Sequence, residues 1–517
     1  MVSKNAWFAL LLAILLIGGL LRFYRLSDFP PSLNWDEVSH AYNAYSLLHT
    51  GRDQWGQVLP VISFRAYGDY PTPLNLYFTV PSIAAFGPTD FAARFPHALI
   101  GTLLIPVVFV ATYKWRRNVF LAVLAALFVS LDPWLLFTSR TVLQSNWAVF
   151  LLGLALCYYF ARKVPTAILF WTFSLFAYHN TRIFVPLLLT TIAIASKKYL
   201  LLIGSVILLA GFILLSPTSR ARGLWVGVIN PGAVANIEFQ RNHSSLPPFL
   251  SKLVYNRPVF LLTHVFNNYI GYFSPQFLFF NGGTQYQYSL PKFGLLPPIN
   301  LPFFYLGLIL LIPSAPLLLI WLLLSPLPAA ITQDQFAVVR ATTMLPIVQL
   351  ITAFGFIWFF SRVSIRWRTL FTVVYLLLIA IWMGVYFHNY SVSYPRVYSS
   401  SWQYGYSQVI SFLKTYYSQY DEIIFTKKYG EPHEFLAYYW PWDPADFQKK
   451  VVWDYHDNWY WVNSLGKIKF INDWEIKHLA IKPNTLVISS PESEIPGREI
   501  KRINFLDGQP AFVLYEK

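Results

Sequence analysis

Ten apolar runs recur along this chain, near residues 6–21, 98–113, 119–137, 146–161, 165–178, 183–196, 199–216, 303–330, 343–361 and 369–387. A soluble core does not need so many long apolar stretches; a lipid bilayer does. Several runs fall short of the roughly 20 residues of an upright crossing, a deficit that tilt and close packing accommodate. Apolar residues make up 56% of the chain and charged residues 12%, against about 25% charged in an average soluble domain. The fold class expected is a polytopic α-helical membrane protein. The first run follows Lys4 and is followed at once by Arg22 and Arg25, with no small-residue cleavage site, so it reads as a retained helix.

Charge sets the orientation. The connections carrying Lys114-Trp115-Arg116-Arg117, Arg162-Lys163 and Lys197-Lys198 alternate, and all become cytoplasmic when the N-terminus is inside. The run 303–330 is far longer than one crossing, and Pro313-Ser314-Ala315-Pro316 offers a break, because proline interrupts helices. Splitting it there gives about eleven spans and leaves Arg362, Arg366 and Arg368 inside. Two domains are expected: a transmembrane module over 1–388, with large outer loops at 22–97 and 217–300, and an extracytoplasmic α/β domain over 389–517. In the second, 407–417 has helical spacing, and 422–426, 468–471, 485–489, 499–504 and 511–515 read as strands. In the first outer loop, 38–48 and 71–85 have the spacing of amphipathic helices lying on the membrane surface. The net charge of +15 sits in the membrane part, where basic loops meet lipid headgroups; no nucleic-acid partner is required. The single Cys157 excludes a disulfide framework.

Acids at the mouth of a membrane bundle are costly to place, which makes them functional candidates. Trp35-Asp36-Glu37 is the foremost case. Asp36 can act as a general base on a hydroxyl, or with Glu37 hold a divalent cation; equally, acids are favoured at a helix start, and 38–48 follows directly. Asp69-Tyr70-Pro71 is a second acidic site, aimed by a proline turn, with a helix cap as its plainer reading. Arg94, Arg140 and Arg182 each fall near the outer end of a span. Arginine binds phosphate oxygens two at a time, so these residues can hold a lipid phosphate, or else serve headgroups and structural ion pairs. His179 and Asn180 stand beside Arg182 as further donors. In the tail, Tyr438-Tyr439-Trp440-Pro441-Trp442 and Trp459-Tyr460-Trp461 can face a carbohydrate or dock the domain on the membrane or the bundle.

The order of these parts resembles a known family. An N-in first helix, a large outer loop with an acidic pair, and Phe91-Ala92-Ala93-Arg94-Phe95-Pro96-His97-Ala98-Leu99 opening the next span are similar to the GT-C membrane glycosyltransferases. The branch is that of the protein mannosyltransferases, aminoarabinose transferases and rhizobial lipopolysaccharide transferases, and the resemblance is strongest over about 7–200. It is looser at Ser325-Pro326-Leu327-Pro328-Ala329 and Arg340. The resemblance implies a plasma-membrane enzyme of cell-envelope glycosylation that uses a polyprenyl-phosphate sugar. Transfer to a glycan, lipid or protein acceptor then takes place on the outer face, with inversion. It matches Asp36 to the family's first-loop aspartate and implies Asp36, Glu37 and Asp69 as catalytic. Tyr70, Arg94, Arg140, His179 and Arg182 are then the residues binding donor phosphate or acceptor. Relatives carry His or Lys before a Pro-Pro pair where this chain has Tyr70-Pro71-Thr72-Pro73. A lipid-linked oligosaccharide ligase shares the layout, and a transporter or flippase shares the many spans, although the halves of this chain do not repeat.

Overall fold

The computed structural model describes residues 4–215, 227–456, 459–493 and 495–517. The start of the expected second outer loop, 217–226, lies outside the described residues. The chain divides into two compact units.

One unit comprises the chain up to Leu21, Ile100–Thr138 and Ser145–Tyr386. It is helical because its apolar runs must satisfy their backbone internally. Counting both units, three described helices are long and apolar enough to cross a membrane: Asn5–Phe23, Asp90–Arg116 and Ile365–Tyr398. A fourth span arises if Val119–Ser130 and Pro133–Ser139, bent by 52°, are one. Shorter apolar helices, among them Thr181–Ala195 and Ile347–Arg362, fall below that length, so element lengths do not confirm eleven. The expected break in 303–330 is present at Ala315, between helices Leu301–Ser314 and Pro316–Leu324.

Small residues let these helices close on each other. A Cβ on Gly355 would lie 1.9 Å from the Phe303 carbonyl oxygen, and one on Gly307 would lie 2.1 Å from that of Ile351. The bend after Ser130 is capped by the buried Asp132, which accepts from Leu135 N (2.8 Å) and from Gln349 Nε2 (2.6 Å). Part of the expected outer loop 217–300 is also helical, at Pro231–Asn242, Pro248–Val254 and Arg257–Gly271.

The other unit comprises Arg22–Leu99, Ser139–Gln144 and Phe387–Lys517. Its sheet contains β1 (Glu422–Thr426), β2 (Val451–His456), β3 (Trp459–Leu465), β4 (Ile468–Ile471), β5 (Thr485–Ser489), β6 (Arg498–Asn504) and β7 (Pro510–Glu516), in the order β2-β3-β4-β1-β5-β7-β6. Strand β1 runs parallel to β4 and β5, and the outer pairs are antiparallel. Five strands and the helix Tyr406–Tyr416 coincide with the sequence expectation; β2 and β3 were not expected.

The amphipathic stretch 38–48 is a helix, Trp35–Thr50, yet it does not lie on a surface. Val38, Ala41, Tyr42 and Ala44 share one core with Tyr406, Phe425, Phe435 and Phe512. The polar side of the helix finds partners far along the chain: Ser39 Oγ donates to Glu434 Oε1 (3.4 Å) and Tyr42 Oη donates to the Trp442 carbonyl (3.2 Å). Those partners replace water, so burial of a half-polar helix becomes affordable.

Candidate active site

Asp36 and Glu37 are neighbours with opposite surroundings. Asn34 caps the helix Trp35–Thr50: its Oδ1 accepts from Glu37 N (3.0 Å), and Glu37 Oε2 accepts from Asn34 N (3.1 Å). This reciprocal box turns Glu37 back into the protein and leaves Asp36 at the surface. Glu37 is 1% exposed. Besides Asn34 N, its oxygens accept from Val142 N (2.8 Å), Arg94 Nε (3.3 Å) and Arg94 Nη2 (3.0 Å).

Two of the candidate arginines, Arg94 and Arg140, are turned inward. Arg94 pairs with Glu37 and donates to the carbonyls of Leu26 (3.2 Å), Pro30 (2.8 Å) and Ser32. Arg140 donates to the carbonyls of Arg22 (2.9 Å), Tyr24 (2.8 Å), Arg25 (3.3 Å) and Phe29 (3.1 Å), and to Tyr390 Oη (3.2 Å). Both are fully buried, so each guanidinium folds the 22–32 segment around itself and presents no open face to a phosphate.

The turn carrying Asp69 and Tyr70 is pinned against the same helix. Phe64 N donates to the Pro71 carbonyl (2.8 Å) and Ala66 N to that of Asp69 (2.9 Å), closing the turn. Tyr67 Oη donates to the Trp35 carbonyl (2.9 Å). Asp69 and Tyr70 are half-buried. His40, one helical turn beyond Asp36, faces this region. Asn75 Nδ2 lies 2.9 Å from its Nδ1 and Gln144 Nε2 lies 3.5 Å from its Nε2. Gln144 Oε1 in turn accepts from Thr72 N (3.2 Å) and Thr72 Oγ1 (2.8 Å). The i, i+4 spacing of Asp36 and His40 was the signal in the sequence that could have drawn attention to this histidine.

Burial lowers the His40 pKa from 6.5 to about 4, opposed by the Asp69 carboxylate. The imidazole is therefore neutral in the folded protein near pH 7. Between pH 6.5 and 4 the unfolded chain binds the proton and the folded chain does not, so stability falls as pH is lowered through that window. Across it the loss is on the order of 3 kcal/mol. Glu431, pushed up to about 7 by burial, has the opposite slope, since the folded form keeps its proton between pH 4.5 and 7. Thermal midpoints of His40→Gln against the parent from pH 7 to 4 isolate the histidine: the variant is expected to lose less stability on acidification.

In the other unit, Arg182 lies at the start of helix Thr181–Ala195, 6% exposed, with its Nε donating to the Leu175 carbonyl (3.0 Å). His179 is half-buried beside it, and Asn180 Nδ2 donates to the Arg340 carbonyl. Arg340 pairs with Asp334 (2.6 Å). Thus Asp36, Glu37, Asp69, Tyr70, Arg94 and Arg140 belong to one unit and His179 and Arg182 to the other.

The divalent cation admitted on Asp36 and Glu37 does not fit this geometry, because both Glu37 oxygens already accept N–H donors. Among the described residues no group of three or more His, Cys, Asp or Glu is arranged as a metal site.

No family model and no curated protein matches the sequence. By structure the chain is similar to the aminoarabinose transferase ArnT of Cupriavidus metallidurans in its apo state. The TM-score is 0.55 at 11% identity, over 99% of this chain and 98% of that one. A structure of the same transferase bound to undecaprenyl phosphate gives a TM-score of 0.45 at 11% identity over the same shares. The oligosaccharyltransferase AglB of Archaeoglobus fulgidus, in complex with an inhibitory peptide and a dolichol-phosphate, gives 0.44 at 14% identity, over 80% of this chain and 58% of that one. At such identities the likeness is one of fold. The chain has an ArnT-like fold over 99% of its length.

Proposed function

We propose that this protein is a membrane glycosyltransferase that moves a sugar from a polyprenyl-phosphate carrier to an acceptor hydroxyl on the outer face of the plasma membrane. The observation that carries the reading is the ArnT-like fold over 99% of the chain, together with an exposed acid, Asp36, at the start of a helix whose next residue is locked in a buried ion pair. ArnT has been solved with undecaprenyl phosphate bound, a lipid of the class proposed here as the carrier.

In this reading the membrane module spans 1–388, with the N-terminus cytoplasmic and the domain from 389 outside. The acceptor O–H gives its proton to the Asp36 carboxylate as its oxygen attacks the anomeric carbon. The bond from that carbon to the phosphate oxygen breaks, and the lipid phosphate leaves with the electron pair. A single displacement of this kind inverts the anomeric centre. Asp69 and Tyr70 orient the acceptor. Arg182 and His179, in the other unit, are proposed as ligands of a lipid phosphate. Arg94 and Arg140 act one step back, by holding the 22–32 segment and Glu37, as their carbonyl contacts favour. The test is to give radiolabelled polyprenyl-phosphate sugars to membranes with and without the protein. A new labelled product, formed with one donor and dependent on the protein, is expected. The absence of product with every donor overturns the reading and leaves transport as the better account.

A further inference from the structure

Resting on the proposed function, we infer that Gln403, 368 residues from the motif in sequence, is a positioning residue for Asp36. Asp36 is the second residue of its helix, where backbone N–H groups have no intrahelical partner and the chain frays unless it is capped. The residue after Asp36 is fixed by the Asn34–Glu37 box. The residue before it, Trp35, is held from outside the helix on three sides. Its N–H donates to Gln403 Oε1 (2.8 Å), its carbonyl accepts from Tyr67 Oη (2.9 Å), and its indole lies against Gly430. A Cβ on Gly430 would come within 2.3 Å of that indole, and its φ of +80° is one that side chains resist. The base therefore stands between two pinned neighbours while its own side chain reaches the surface.

Gln403 is built for this contact. It is 5% exposed and holds a φ of 57°, a left-handed conformation uncommon for a residue with a side chain. Its Nε2 donates to the Tyr429 carbonyl, which fixes the amide so that Oε1 faces Trp35. A general base must sit within hydrogen-bond reach of the proton it takes, and a displacement of about 1 Å can cost a hundredfold in rate. The C-terminal segment thus does more than append a soluble domain: it sets where the acid points.

The experiment uses the full chain in lipid nanodiscs. Gln403→Met keeps the volume and loses the acceptor; Gln403→Glu keeps an acceptor for the Trp35 N–H. With the radiolabelled polyprenyl-phosphate sugar that the parent protein turns over, Gln403→Met is expected to lower kcat by about tenfold to a hundredfold. KM for the donor stays at its parent value, the thermal midpoint falls by no more than two lost hydrogen bonds explain, and Gln403→Glu, which restores the acceptor but sets an oxygen against the Tyr429 carbonyl, recovers part of kcat. Backbone hydrogen exchange of the peptide covering 33–42 is measured in parallel, and is expected to be at least about tenfold faster in Gln403→Met, since a capped N–H is released. Parent-like kcat in Gln403→Met overturns the inference. So does an equal loss in both variants accompanied by a lowered thermal midpoint, which is the mark of a merely structural role. A parent protein inactive with every donor sinks the proposed function instead. The exchange measurement then decides the anchoring of Trp35 alone: faster exchange upholds it and unchanged exchange overturns it.

Discussion

Asp36→Asn is expected to lower the rate of sugar transfer by about 10²–10⁴-fold, the usual contribution of a positioned general base. The substitution is nearly isosteric and removes the carboxylate charge that accepts the acceptor's proton. Its effect on stability is expected to be small. An acid in the first turn of a helix contributes roughly 0.3–1 kcal/mol through the helix dipole, and Asn34 with Glu37 still caps the turn. The two readings of Asp36 in the sequence, base and helix cap, therefore part company in one pair of measurements. If the asparagine variant transfers sugar at the parent rate while its thermal midpoint drops, Asp36 is a structural acid and the mechanism above is wrong. A loss of turnover at an unchanged midpoint assigns the chemistry to the side chain. Asp69→Asn in the same assay is expected to act more mildly and chiefly through KM for the acceptor, because an orienting group binds ground state and transition state alike.

The acidic pair was legible in the sequence, but the different surroundings of its two members were not. Nothing in the spacing of Asp36 and Glu37 says that one is exposed and the other is 1% exposed. That difference arises from a capping box with Asn34 and from Arg94, 57 residues on. The strands β1, β4, β5, β6 and β7 were legible because short aliphatic and β-branched stretches such as Glu422–Thr426 and Thr485–Ser489 lie beside turn residues. Strands β2 and β3 were missed because their alternation is written in Trp and Tyr, whose amphipathic rings read equally as a ligand face or a docking face. In the fold they pack on residues of the 22–97 segment. Trp453 stacks on Trp55 with centroids 3.7 Å apart, Trp459 stacks on Tyr67 at 5.5 Å, and Arg65 lies 4.3 Å from the Trp55 centroid and 3.9 Å from that of Tyr460. Likewise, the existence of the helix at 38–48 follows from its periodicity, but its burial depends on Glu434 and Trp442, some 400 residues away, which no local pattern reveals. The break at Pro313-Ser314-Ala315-Pro316 was readable since it rests on proline alone.

Arg94→Met is expected to destabilise the protein by about 3–5 kcal/mol, the range for breaking a buried ion pair by removal of one partner. Methionine matches the arginine stem in length, so little packing is lost. What is lost is the countercharge of Glu37 and the donors to the Leu26, Pro30 and Ser32 carbonyls, all within a site that is 0–1% exposed at Arg94 and Glu37. Glu37→Gln is expected to cost less, because an amide still offers an oxygen to Val142 N and Arg94 keeps its carbonyl partners. The double variant Glu37→Gln/Arg94→Met removes the isolated charge. It is therefore expected to be more stable than Arg94→Met alone, a sign of energetic coupling between the two side chains. Survival of the detergent-solubilised protein after heating, for all three variants, measures this ranking. Arg94 was read from the sequence as a candidate phosphate ligand, and the same set tests that role. A phosphate ligand is expected to raise KM for the lipid-linked donor with the protein intact. A buried partner of Glu37 loses fold and turnover together, and regains fold when Glu37 is neutralised as well. Parent-like survival of Arg94→Met would show that the Glu37–Arg94 pair does not hold the acidic helix in place.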